Sequence, residues 1–338
     1  MNQVAIVILN YNGKDHLECF LPSVIEHQQE HTLIIADNAS TDHSIKFLKV
    51  KYPNIRIIEN KENYGFAKGY NEALQKIKDE FEYFLLLNND VEVTKNWITP
   101  LLISVQNENI AACQPKILSY RSKNYFEHAG AAGGFIDKNY FPFCRGRIFD
   151  SLEEDTLQYE TEQQVTWTSG AAMLIKSKVF FEVGGFDEDF FAHMEEIDLC
   201  LRIQKKGFEL ICNPKSFVYH LGGGTMPYNS PKKVYLNFRN NLFLIIKNHS
   251  GYLLPKLFTR MTFDFLAALK FLSEGKIKLI WCVFCAHLSV YKKILILLRK
   301  RKEIKGHSYS ILQYKGSIIW SYFAQKNKSY SALNKRKF

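Results

Sequence analysis

Apolar positions along this chain come in short runs, each closed by a polar turn. Val4-Ala-Ile-Val-Ile-Leu9 runs into Asn10-Tyr-Asn-Gly13, Leu33-Ile-Ile-Ala36 into Asp37-Asn38, and Tyr83 to Leu87 into Asn88-Asn89-Asp90; Ile55-Arg-Ile-Ile58 is a further run. Runs without polar alternation predict strands buried on both faces. Between them, residues 14–29 place Leu17, Phe20, Leu21 and Val24 on one side of a helix. Residues 42–50, with Ser40 or Thr41 as cap, and 67–79, after the Asn63-Tyr-Gly-Phe66 loop, predict two more helices. Strands alternating with helices predict an α/β domain with a Rossmann-like, mostly parallel central sheet.

Residues 110–165 lose this rhythm. Gly130, Gly133, Gly134, Gly146 and the acidic Glu153-Glu154-Asp155 predict loops and short strands over a site. A strand over Val165–Ile175, a turn at Gly184-Gly185, a helix over about 195–206 and strands at Phe208–Cys212 and Phe217–His220 follow, and Gly222-Gly223-Gly224 predicts a flexible boundary. Beyond it, 234–248, 252–272 and 277–298 read as apolar helices studded with Lys and Arg. Their longest uncharged span, Leu279 to Tyr291, is thirteen residues, short of the roughly 20 that a bilayer crossing needs. Trp281, Phe284 and Tyr291 among lysines suit a helix lying at a membrane interface. The pattern divides the chain into an α/β domain over 1–230, a basic helical region over 231–325 and a disordered tail over 326–338.

Charge changes the picture. The net +10 hides an acidic body and a basic end: residues 231–338 hold 22 Lys and Arg against 3 Asp and Glu, while 1–230 hold 22 against 31. Such a basic block calls for an anionic partner, a membrane surface or a nucleic acid. The acidic body and the lack of a base-stacking module favour the membrane, with no nucleic acid expected, over the alternative of a non-enzymatic nucleic-acid-binding protein using the basic tail. Seven scattered cysteines are an odd number and predict a reduced, cytoplasmic protein; Cys282 and Cys285 lie in an apolar stretch and read as packing. The strand-like start at Val4 leaves no room for a signal peptide.

Asp37, Asp90 and His220 each follow an apolar run, and strand ends of a parallel sheet converge on one edge. A carboxylate, an imidazole and diphosphate oxygens together suit Mg²⁺ or Mn²⁺. Each residue also has a plainer reading: Asx turns for Asp37-Asn38 and Asn88-Asn89-Asp90, a half-buried histidine for His220. Glu195-Glu196-x-Asp198 at a helix start either complements the helix dipole or offers a carboxylate for proton abstraction.

The order of these pieces resembles the family 2 glycosyltransferases, the inverting group with the GT-A fold, and within it the bacterial branch of rhamnosyl- and galactofuranosyltransferases. The matching segments are Val4 to Gly13, Asp37-Asn-Ala-Ser-Thr-Asp42, Asn63 to Asn71, Leu85 to Asp90, Ser169-Gly-Ala-Ala-Met173, Gly184-Gly-Phe-Asp187, Glu195 to Arg202 and His220 to Thr225. The resemblance implies that Asp37 contacts the base and ribose of a nucleotide-sugar donor. It implies that Asn10, Tyr11, Asn12, Asn38, Gly65, Asn71, Asn89 and Gly170 complete that pocket. Asp90 matches the last residue of the metal-binding Asp-x-Asp motif, with Asn88 standing where a carboxylate is expected, and His220 matches a histidine that joins the metal in some relatives. Glu196 takes the place of the catalytic base, with Glu195 and Asp198 as less favoured candidates. The implied activity is transfer of a sugar from dTDP-rhamnose or a UDP-sugar to a lipid-linked saccharide in surface polysaccharide synthesis, O-antigen or capsule. A nucleotidyltransferase would instead show an early Gly-rich loop with a phosphate-binding Lys or Arg, which Asn10-Tyr-Asn-Gly13 does not match.

Overall fold

The computed structural model describes residues 4–128, 130–222, 230–304 and 310–338. In chain order the first half holds β1 (Val4–Asn10), α1 (Lys14–His27), β2 (Thr32–Asp37), α2 (Ser44–Lys51), β3 (Arg56–Glu59), α3 (Gly65–Gln75), β4 (Tyr83–Asn88), β5 (Val91–Val93), α4 (Ile98–Val105) and β6 (Ile110–Ser119). Then follow β7 (Gly134–Ile136), β8 (Pro142–Cys144), β9 (Arg147–Ile148), β10 (Ser151–Leu152), β11 (Gln163–Gln164), β12 (Ala172–Lys176), α5 (Ser177–Glu182), α6 (Glu195–Lys205) and β13 (Glu209–His220). Three long helices follow, α7 (Pro231–Asn248), α8 (Leu253–Ser273) and α9 (Ile277–Ile304), and then short helical turns at Trp320–Ala324, Tyr330–Ala332 and Lys335–Lys337.

The strand order β3-β2-β1-β4 is parallel throughout. Alternate residues of a strand point to opposite faces. In β4, Phe84 and Leu86 enter one core layer with Tyr70, Phe180 and Phe186, while Tyr83, Leu85 and Leu87 enter the other with Leu17 and Leu101. Helices cover both faces, so the strand carries no polar alternation. Each of those leucines, fully withdrawn from water, contributes about 1.5–3 kcal/mol.

Past β4 the sheet departs from the expected mostly parallel arrangement and is mixed. β12 runs antiparallel to both β4 and β6, β13 runs parallel to β6, and β5 and β11 lie antiparallel on β13. The chain enters β12 from the irregular middle and not from a crossover helix, and an antiparallel strand needs no crossover. This reversal carries Ser169 to Ala171 to the carboxyl end of β4, where the Asn88 backbone N–H donates to the Ala171 carbonyl at 3.0 Å. The strand expected over Val165–Ile175 therefore begins only at Ala172. The two strands expected after Phe208 are one, with its register against β6 broken between Asn213 and Phe217, where Pro214 has no N–H to give the ladder.

The middle forms a second, antiparallel sheet in the order β10-β9-β8-β7. The tail expected to be disordered over 326–338 packs onto it. Tyr330 and Leu333 are buried, the Phe338 ring lies 5.2 Å from Phe135 and 4.9 Å from Tyr314, and the Tyr330 N–H donates to Glu153 Oε1 at 2.9 Å. Two aromatics and a leucine are enough to dock a segment that is polar and basic on average. The boundary expected at 230 also softens, since Leu242 to Ile246 of α7 belong to the main core. Gly223, Gly224 and Thr225, read as flexible boundary and motif end, lie outside the described residues.

α9 is longer than expected, 28 residues, and an 18-residue window in it has mean hydropathy 1.6 with 22% buried. By length and composition alone it is able to cross a bilayer, contrary to the expectation from its uncharged span. Its inner face is nevertheless taken: Val283, Ala286, Val290 and Leu297 are buried, and Arg301 donates to the Ile246 and Gly251 carbonyls.

Candidate active site

The carboxyl ends of β1, β2 and β4 meet at one edge. The Asn10 amide donates to Asp37 Oδ1 at 3.1 Å and to Ser40 Oγ at 3.2 Å, and its oxygen accepts from Asn89 Nδ2 at 3.0 Å. Asp37 accepts in turn from the Ser40 backbone N–H and hydroxyl at 2.8 and 2.6 Å. Asn12 takes a positive φ of 48° and ties this edge to the next loop by accepting from the backbone N–H groups of Thr41 and Asp42. Tyr11 stands exposed beside it. The result is a rigid polar lip with one free aromatic ring, suited to a ribose and a base.

Asn38 and Asn71, expected in the same pocket, have their amides turned inward. Asn38 donates to Asn63 Oδ1 and the Gly65 carbonyl and accepts from Asn60 and the Tyr64 N–H. Asn71 donates to the Phe186 carbonyl and accepts from the Phe186 N–H, both within 2.9 Å. Both brace loops and leave little for a ligand. Gly65 has φ 74°, and a Cβ there would lie 2.7 Å from the Phe191 ring, so a side chain would push the α3 start off the loop before α6. Gly170 packs against Phe66 in the same way, its added Cβ at 3.0 Å. α3, the Gly170 turn and the Phe191 loop thus meet at one seam.

At the end of β4, Asp90 faces His220 of β13, with Nε2 to Oδ1 at 3.1 Å. Glu127, from the irregular middle, approaches the other ring nitrogen, Nδ1 to Oε2 at 3.2 Å. All three are buried. Burial alone would lower the His220 imidazole, but the charges of Asp90 and Glu127 carry it up to about 10. Burial likewise raises the Asp90 carboxyl, and the His220 charge outweighs it, leaving it below the usual range. Asn88 Nδ2 lies 3.4 Å from His220 Nε2 and adds no negative charge. A hard oxygen and an imidazole nitrogen facing across one gap are a donor pair that a divalent cation accepts in place of the proton. Glu127 on Nδ1 orients the ring for it. Among the described residues no third protein ligand joins them in one group, so the remaining positions would fall to a ligand's oxygens.

The third part is the loop into α6. Phe191, His193 and Met194 all have φ between 66° and 71°, costly for residues with side chains and held only where the surroundings dictate it. The surroundings are α7. Asn240 Nδ2 donates to the Phe190, Ala192 and His193 carbonyls at 3.0, 2.8 and 2.6 Å, and Arg239 donates to the Asp189 and Phe190 carbonyls. This places Glu195 and Glu196 at the start of α6, each with a buried Oε2 that has no hydrogen-bond partner among the described residues. Burial raises both carboxyls. Glu195, pressed further by the neighbouring charge of Glu196, goes well above the carboxylate range, whereas Glu196 rises to about 7. Two adjacent buried acids are thereby both pushed up, each by burial and Glu195 also by its neighbour's charge.

Asp198, expected as a less favoured base, is built into the scaffold instead. Its Oδ2 accepts from Arg202 at 2.8 Å and its Oδ1 from Lys247 and Asn248, both at 2.8 Å. Burial raises its carboxyl, but Lys247 and Arg202 hold it down, and both oxygens are taken. Glu127, Arg239 and Asn240 went unread in the sequence. Glu127 sits in the segment without periodicity, and Arg239-Asn240 sit inside an apolar helix, where a buried Asn with a strained loop opposite was the one available signal.

A glycosyl transferase family 2 model matches residues 5–183. An N-acetylglucosaminyl-diphospho-decaprenol L-rhamnosyltransferase of Mycobacterium tuberculosis is 23% identical over 261 residues, 73% of this chain and 85% of that one. A dTDP-rhamnosyl transferase of Shigella flexneri is 22% identical over 75% of this chain and 83% of its own length. Among solved structures, a mannosyltransferase of Pyrobaculum calidifontis in complex with GDP-Man and Mn²⁺ superposes with a TM-score of 0.52 at 14% identity, covering 90% of this chain and 81% of that one. GalNAc-T7 with UDP, GalNAc and Mn²⁺ superposes with a TM-score of 0.56 at 17% identity over 73% of this chain, which spans 48% of that structure.

Proposed function

The chain belongs to glycosyl transferase family 2 and is a glycosyltransferase, and from that premise we propose that it transfers a deoxyhexose or hexose from a nucleoside diphosphate donor, dTDP-rhamnose or a UDP-sugar, with inversion, to a hydroxyl of a lipid-linked saccharide at the cytoplasmic face of a membrane. The observation that carries the reading is Glu196: a buried carboxylate oxygen with no hydrogen-bond partner among the described residues, at the start of α6 just after a loop held under strain, on a carboxyl that burial raises to about 7.

The donor's base and ribose take the lip formed by Tyr11, Asn10, Asp37 and Ser40. Its diphosphate lies toward Asp90 and His220, and a Mg²⁺ or Mn²⁺ ion bound there would neutralise the charge of the departing phosphate. Glu196 accepts the proton of an acceptor hydroxyl. The acceptor oxygen forms its bond to the anomeric carbon while the bond from that carbon to the phosphate oxygen breaks on the opposite face. The nucleoside diphosphate leaves with the bonding electron pair. One displacement needs one base, and burial together with the neighbouring charge of Glu196 pushes the Glu195 carboxyl up beside it.

The test is a donor panel scored by nucleoside diphosphate release in the presence of a lipid-linked saccharide, for the wild-type chain and Glu196→Gln. Release that depends on the acceptor, and collapses in the variant, supports the reading. Absence of release with every dTDP- and UDP-sugar would set it aside.

A further inference from the structure

The reading of a lipid-borne acceptor leaves open how the protein meets the membrane, and two exposed helix faces answer it. On α9, Ile277, Trp281, Phe284, Leu288, Tyr291 and Leu295 recur at steps of three and four residues, which sets them on one stripe. Ile277 is 70% exposed, Trp281 64% and Leu295 79%. The stripe lies across the helix from Val283, Ala286, Val290 and Leu297, which are buried. On α8, Phe258, Phe265, Leu269 and Leu272 form a matching exposed stripe, across that helix from Arg260 and Asp264. Those two are buried, joined at 2.7 Å, and Asp264 is paired with His287 of α9 at 3.0 Å. The hairpin therefore buries the Arg260–Asp264 pair on its inner face and shows apolar and aromatic side chains on its outer face, the reverse of a helix pair solvated by water.

Charge decides the occupant. From Leu253 to Ile304 the hairpin holds eleven Lys and Arg against three Asp and Glu, a net +8. Lys270, Lys276 and Lys278 are exposed at its turn, and Lys292 stands exposed beyond the uncharged span of α9. A second copy of so cationic a face would be repelled, whereas an anionic bilayer supplies both hydrocarbon for the stripe and negative charge for its border. We propose that the exposed faces of α8 and α9 form a docking surface that lies flat in the headgroup region of an anionic bilayer. The uncharged span of α9, about 20 Å at 1.5 Å per residue, is shorter than a hydrocarbon core of about 30 Å, and the inner faces of both helices stay on the protein. This extends the reading of a lipid-borne acceptor, and it stands or falls on lipid binding alone.

The test is flotation of the full chain with vesicles of phosphatidylcholine, with and without roughly a quarter phosphatidylglycerol. Trp281→Glu/Phe284→Glu changes only exposed positions, and Trp281→Phe serves as a conservative companion. Binding is expected with the anionic vesicles, weakened by salt, and reduced at least about tenfold in the double glutamate variant. Brominated lipid is expected to quench the wild-type tryptophan emission and to quench Trp281→Phe markedly less. Donor turnover on a short water-soluble acceptor should be equal in all three; if turnover is absent while flotation holds, the transferase reading fails and the docking surface stands. The proposal is overturned if flotation is equal for wild type and the glutamate variant, if quenching does not depend on Trp281, or if sedimentation shows a dimer that the glutamate variant dissolves without any vesicle binding.

Discussion

Lys300 of α9 donates to Asp187 Oδ1 at 2.6 Å and to Asp189 Oδ2 at 2.7 Å, tying the helix with the exposed apolar face to the turn that leads into Glu196. Lys293 joins it on Asp189, and Lys247 of α7 reaches Asp187 Oδ2 at 2.5 Å from the other side. Burial alone would raise the Asp187 carboxyl, but the lysines hold it well below the carboxylate range. Removing one partner of a mostly buried pair leaves the other charge poorly compensated. Lys300→Met is therefore expected to lower stability by about 1–2 kcal/mol, read by urea unfolding. It is also expected to lower kcat more than it raises KM for the donor, because the turn it holds positions Glu196 and not the nucleotide lip.

The same cluster gives a pH dependence of stability. The folded-state pKa of Asp187 and that of Asp198 are depressed, so their contribution is present above the unfolded carboxylate value near 4. It is lost as pH falls through the folded values. Thermal unfolding between pH 6 and 3 should show the melting temperature falling on the acid side, and Lys300→Met should flatten that fall.

Asn240 is expected to matter through three carbonyls. Asn240→Ala frees the Phe190, Ala192 and His193 oxygens, and with them the strained Phe191 to Met194 backbone. A loss of about 1–3 kcal/mol in stability should accompany a drop in kcat of more than about tenfold. An Asn240→Ala protein of normal kcat would show that α7 does not hold the loop.

Glu127 stands behind His220, one of the two side chains proposed to hold a divalent cation. Chelation should stop turnover, and adding back Mn²⁺ or Mg²⁺ should restore it. Glu127→Gln keeps the shape of the side chain and removes the charge beside His220 Nδ1, so the metal concentration for half-maximal rate should rise about 10–100-fold with the rate at saturation little changed. Asp90→Asn should instead lower the rate at every metal concentration.

Much of this arrangement was legible in the sequence, and what escaped did so for physical reasons. Asn10, Asp37 and Asp90 could be placed because they interrupt apolar runs, and a run buried on both faces ends at a sheet edge. The parallel half of the sheet followed from the same alternation. The antiparallel β12 did not, because direction is set by the connection, and residues 110–165 carry no periodicity to read. Asn71 and Asp198 look like ligands in a motif, yet their partners Phe186 and Lys247 lie 115 and 49 residues away. Whether a polar side chain faces a ligand or braces a loop is decided by such distant partners. The tail was misread because average polarity concealed Tyr330, Leu333 and Phe338.

The central claim is that Glu196 is the base. Its carboxyl rises to about 7 through burial, and a base works only when deprotonated, so activity should be present above that value and fall as pH drops below it. The measurement is kcat/KM for the acceptor against pH, for wild type and Glu196→Gln, with folding checked by circular dichroism. The account predicts a rising limb with an apparent pKa near 7 in the wild type and, in the variant, a rate lower by about 10²–10⁴-fold without that limb. A Glu196→Gln enzyme that keeps near-wild-type turnover, or keeps the limb, would contradict it.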